Sequence, residues 1–96
     1  MPEMTESQAQ TTRHLAAARF YLPEHIASAK AEAAWAEVVH HLHSNELRLA
    51  LDGAMSLGNE IGARKEYWRE LLLAARNMEL DEHAGKLAEW VRTKRT

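Results

Sequence analysis

The chain contains no cysteine, which rules out a disulfide framework and a thiolate zinc site and suits a reducing compartment. Valine and isoleucine are scarce too, five residues together against 12 leucines and 17 alanines, and that balance favours helix over strand. No apolar run is long enough to span a bilayer, so no membrane partner is expected. The opening MPEMTESQAQ lacks the basic start and apolar core of a signal peptide, and a soluble cytoplasmic protein is the expectation. Nor is charge of either sign in excess: residues 1–44 carry three basic and five acidic side chains, residues 45–96 nine of each. A polyanionic or polycationic partner is not implied. Arg92, Lys94 and Arg95 cluster at the end, but cations in a last helical turn complement the macrodipole, and no basic stripe with interleaved aromatics predicts a nucleic-acid partner.

What is present is helical periodicity. Ninety-six residues suit one domain, 1–96, and a chain of this length hides roughly two-thirds of the surface its unfolded form exposes, so size alone demands no cofactor. Residues 1–4 read as disordered. A first helix is predicted from Thr5 to Tyr21 with Leu15, Ala18 and Leu22 inward, ended by Pro23, which pushes its predecessor out of the α region. A second runs from Glu24 to His43, its register set by Trp35, Val38, Val39 and Leu42. Ser44 or Asn45 is placed to N-cap a third helix that puts Leu47, Ala50, Leu51, Ala54, Met55, Leu57 and Ile61 on one arc and is closed by a left-handed Gly62. The fourth, Arg64 to Glu79, turns Trp68, Leu71, Leu72, Ala75 and Met78 to one side and forms an antiparallel helical hairpin with the third. Asp81 caps a fifth through Ala84, Leu87, Ala88 and Val91. The fold class is therefore all-α, a compact bundle of about five helices around a central hairpin.

Residues that miss these stripes point to function. At about 100° per residue, Leu49 falls on the back of the third helix, Leu73 on the back of the fourth and Trp90 off the arc of the fifth. Gly53 and Ser56 share the face of Leu49 and permit another helix to approach closely. Either the helices before Ser44 cover these positions, which makes the third helix central, or some of them form an apolar patch for a partner or a second copy. At least one of Leu49, Leu73 and Trp90 is expected at a contact surface.

Chemistry-bearing motifs are weaker. Glu37-Val-Val-His40 has the Glu-x-x-His spacing of di-metal bundles, with His41 and His43 beside it, but such sites need two of these motifs and further inward glutamates. Glu37, His40 and His41 lie opposite the apolar stripe, as solvated residues do, so no metal is assigned. His14, His25 and His83 are single surface-type residues. Gly53, Gly58, Gly62 and Gly85 form no phosphate-cradling loop, and Gly58 fits close helix packing instead. Ser28, Ser44 and Ser56 stand in no nucleophile motif. Lys65, Glu66, Arg69 and Glu70 alternate in sign like a water-facing surface. Neither a catalytic residue nor a cofactor is predicted, and the chain does not read as an enzyme.

One resemblance covers residues 42–80. His43-Ser44-Asn45-Glu46-Leu47, Ala50-Leu51-Asp52, Leu57-Gly58, Gly62-Ala63 and Tyr67-Trp68-Arg69 followed by Leu71, Ala74, Ala75 and Met78 look like small helical bacterial proteins grouped with MafI-like toxin-immunity proteins. That resemblance implies a non-catalytic protein that binds and blocks a cognate toxin through a variable surface, so it transfers no binding residues. The first expectation is thus an immunity or antitoxin-type protein-binding module. A small self-associating structural or regulatory helical protein comes second, and a metal-dependent enzyme last.

Overall fold

The computed structural model describes residues 6–22 and 29–93, and among them every regular element is helical. The chain order is α1 (Glu6–Ala18) with a 3-10 turn at Arg19–Tyr21, α2 (Ala29–His43), α3 (Leu47–Ile61), α4 (Lys65–Asn77) and α5 (Asp81–Thr93). An all-α bundle of five helices is what the leucine and alanine content demands. The readings of residues 1–4 as disordered, of Thr5 as the first helical residue, of Pro23 and Glu24 as a helix boundary, and of His25, Ser28, Lys94 and Arg95 lie outside the described residues. The shortest dimension of the molecule is 18 Å, two helices thick.

Among the described residues, helix α4 is the centre of the bundle, packed broadly on α1 and α5 and in contact with α3, whereas α2 packs broadly on α3 alone. The third helix is therefore not the hub. Its contact with α4 is a tight one around Gly58: a Cβ placed there would stand 2.6 Å from Cε1 of Tyr67 and 2.7 Å from Cη2 of Trp68. Both rings are fully buried. Burial demands partners for their polar ends, and the Tyr67 hydroxyl donates to the Ala54 carbonyl while Nε1 of Trp68 donates to the Ala63 carbonyl at 3.1 Å. Burial also pushes the Tyr67 phenol well above the usual tyrosine range, because the ionised form would lose its hydration. On the other side of α3, a Cβ at Gly53 would meet only Cγ2 of Val38, at 3.1 Å, so the close approach is made at Gly53 by α2, while Ser56 is exposed.

The three described corners use one device. Asn45, Gly62 and Glu79 adopt left-handed φ values of 57°, 65° and 58°. After each, the next amide reaches back five residues: Glu46 to the His41 carbonyl at 2.8 Å, Ala63 to Gly58 at 2.9 Å and Leu80 to Ala75 at 3.0 Å. Asn45 is thus the residue that closes α2, not an N-cap for α3, whose capping position is held by Glu46 without a side-chain bond. A short amide side chain tolerates the left-handed region, and that property outweighs its capping value here. Asp81 also shifts role: the Leu80 carbonyl accepts from Ala84 at 2.8 Å, so Asp81 lies inside the first turn of α5 and acts on its dipole.

Helix α1 is docked through a partly polar seam. Leu15 and Ala18 are buried, and so is Thr11, whose hydroxyl donates to the Ser7 carbonyl at 3.0 Å and accepts from Nδ2 of Asn77 on α4 at 2.7 Å. Nδ2 of Asn77 also donates to the Ser7 carbonyl, and Oγ of Ser7 donates to the Asn77 carbonyl at 3.2 Å.

Candidate functional site

The three residues singled out from the sequence have different surroundings. Leu49 on α3 and Leu73 on α4 are exposed, at 41% and 42% of their full surface. Trp90 on α5 is half-buried, its ring edge-on to Trp68 with centroids 4.9 Å apart. Among the large apolar side chains of the described residues, Phe20 is the most exposed, at 87%. Sequence reasoning missed it, although a signal existed: Phe20 lies two residues, about 200° of helix, from both Ala18 and Leu22, which are buried.

The predicted core stripe of α2 divides. Val38 and Leu42 are buried against the bundle, but Trp35 and Val39 are only half-buried. Both line a groove of about 550 Å³ together with Leu42 and His43 on the same helix and Thr12, Ala16 and Arg19 on the other side. The groove exists because α1 docks on α4 and α2 on α3, so the two helices flank a gap that neither closes.

The chain matches no family model, no curated protein and no solved structure. The function must be argued from geometry.

Histidines give the other notable pattern. His14 Nδ1 on α1 contacts Oε2 of Glu70 on α4 at 2.9 Å, His41 Nδ1 at the end of α2 contacts Oε1 of Glu46 before α3 at 3.2 Å, and His83 Nε2 on α5 contacts Oδ1 of Asp52 on α3 at 2.7 Å. Each contact ties two elements together. His14 and His83 are therefore not the isolated residues their sequence surroundings imply, and Glu70 belongs to the α1 seam instead of a purely water-facing strip. No local signal reveals these pairs, since the partners stand 56 and 31 positions apart.

In the Glu-x-x-His segment, Glu37 and His40 are both exposed, and it is His41 whose Nε2 lies 3.8 Å from Glu37. Among the described residues no group of three or more His, Asp or Glu side chains is placed to hold a metal ion. The Asp52–His83 pair borders a second cleft of about 340 Å³ with Met55, Glu82 and Lys86. There the imidazole–carboxylate contact spans from α5 to α3, beside the buried side chain of Met55. Among the described residues no helix is long and apolar enough to cross a membrane.

Proposed function

We propose that this protein is a non-catalytic protein-interaction module of immunity or antitoxin type, which binds and blocks a cognate bacterial toxin. One observation carries the reading: apolar surface is left open in two places, in the α1–α2 groove where Trp35 and Val39 are half-buried, and at Phe20, 87% exposed beside a separate cleft that it lines with Ile61 and Ala63. Apolar surface left open to water marks interaction sites, and a partner protein is the usual cover. The resemblance of residues 42–80 to MafI-like immunity proteins supplies the toxin as the class of partner. Co-expression with the product of each neighbouring reading frame tests the reading. Restored growth together with co-purification of that product is the expected result, and an unchanged growth defect with every neighbour overturns it.

Self-association is the second reading, favoured by Leu49 and Leu73 standing exposed on separate helices. It requires a mass that rises with concentration in light scattering and falls to that of a monomer on Leu49→Lys or Leu73→Lys.

A further inference from the structure

We infer that the outward face of α4 is a further docking surface and that its occupant is an acidic patch on a partner protein, two carboxylates set astride an apolar socket; this rests on the interaction-module reading above. Packing isolates the face. With α1, α3 and α5 all in contact with α4, the side chains that stay exposed between Lys65 and Asn77 are Arg69, Leu73 and Arg76. They stand at i, i+4 and i+7, one stripe about 10 Å long at 1.5 Å per residue, with Leu73 in the middle at 42% exposure.

Charge identifies the occupant. The carboxylates of α4 are engaged elsewhere, Glu66 with Arg64 at 3.6 Å and Glu70 with His14 at 2.9 Å. The guanidinium groups of Arg69 and Arg76 have no carboxylate partner among the described residues. Such a group keeps its charge at any ordinary pH and grips a carboxylate through two parallel bonds, so the pair selects carboxylates. Leu73 between them calls for apolar carbon opposite, which a protein surface offers and a phosphate backbone does not, and at a net charge of −2 the chain as a whole does not attract a polyanion. A second copy docked α4 against α4 about a two-fold axis would set arginine against arginine. Complementarity of this kind discriminates partners more than it adds affinity.

The test uses the full chain, labelled with 15N, titrated with two synthetic helical peptides of about 15 residues that share one leucine face and differ only in flanks of Glu or of Lys. The Glu peptide is expected to shift amide resonances in residues 65–77, with Kd at least about tenfold tighter than the Lys peptide. Arg69→Gln combined with Arg76→Gln changes exposed positions alone, and its fold is checked by thermal melting; it is expected to abolish that tenfold preference and leave the Lys peptide no weaker. Leu73→Ser is expected to weaken both peptides. On the unaltered chain, raising salt from about 0.05 to about 0.5 M is expected to weaken the Glu peptide alone, a readout that needs no variant to fold. Equal binding of the two peptides, no shift in residues 65–77, indifference to the double variant or to salt, or displacement of the Glu peptide by a DNA duplex of about 15 base pairs overturns the proposal. A mass in light scattering that falls to that of a monomer on Leu73→Ser assigns the face to a second copy and overturns it as well. Failure of every neighbouring reading frame in co-expression removes the module reading without touching the titration, whereas a co-purifying neighbour whose binding survives the double variant removes this face alone.

Discussion

Helices α4 and α2 are of similar length, 13 and 15 residues, but they occupy opposite situations. Around α4 stand α1, α3 and α5, and six of its side chains are buried, among them Tyr67 and Trp68 with their polar ends satisfied. Around α2 only α3 packs broadly among the described residues, and half of its apolar stripe is left half-open. The difference shows what the number of neighbours does to an apolar arc. A helix with three neighbours can spend a wide apolar arc on stability, while the same kind of arc facing one neighbour has a surplus, and that surplus is available to another molecule.

The contrast breaks most visibly at the two glycines of α3. Gly58→Ala drives a methyl into two buried rings that have no room to retreat, so overpacking outweighs the gain in helix propensity and a loss of about 2 kcal/mol is expected. Gly53→Ala asks one Val38 methyl to move slightly, and the propensity gain of about 1 kcal/mol brings the net change close to zero. Urea denaturation of both variants gives the comparison directly. Equal losses would mean that α2 is seated as firmly as α4.

Alkaline pH sharpens the same point from the α4 side. The unfolded chain's phenol ionises near pH 10, whereas the buried Tyr67 keeps its proton to higher pH, so the stability present below that range is lost as pH rises through it. The slope is at most about 1.4 kcal/mol per pH unit. Tyr67→Phe should flatten it, as measured by denaturation at pH 9 to 11 (approximate limits around the free phenol value). Persistence of the full slope in that variant would place its origin elsewhere.

Next in size is the polar seam of α1. Asn77→Ala removes the bonds from Nδ2 to Thr11 and to the Ser7 carbonyl, but the Thr11 hydroxyl keeps its own acceptor at Ser7, so a loss of about 1 kcal/mol is expected. Hydrogen exchange should locate it in residues 6–18. If exchange rises across α2 instead, the seams are coupled and the contrast fails.

How much of this was legible depends on the range of the interaction. The arcs of α3 and α4 were readable because each residue's inward or outward place follows from its neighbours three and four positions away; Leu47, Ala50, Leu51, Ala54, Leu57, Trp68, Leu71, Leu72 and Ala75 are all buried as the wheel requires. Gly58 was readable as a point of close packing, though not as the floor under Tyr67 and Trp68. The groove was not readable, since Trp35 and Val39 belong to a sound apolar stripe and only the three-dimensional count of neighbours leaves them half-open. The His14–Glu70 and His83–Asp52 pairs were invisible for the same reason. Asn45 was misplaced by one role because the side chain that suits an N-cap also suits a left-handed corner, and Asp81 by one position.

The smallest effect separates the corners that end the two helices. Glu79 closes α4 and Asn45 closes α2, each with a positive φ that a Cβ opposes, at 58° and 57°. Asn visits this region at lower cost than Glu, because its short amide bonds locally to the backbone. Glycine removes the conflict at both, against the entropy of a freer unfolded chain. Glu79→Gly should therefore raise stability by about 0.5–1 kcal/mol and Asn45→Gly by only a few tenths. A larger gain at Asn45 would show that the end of α2, not that of α4, holds the greater backbone strain.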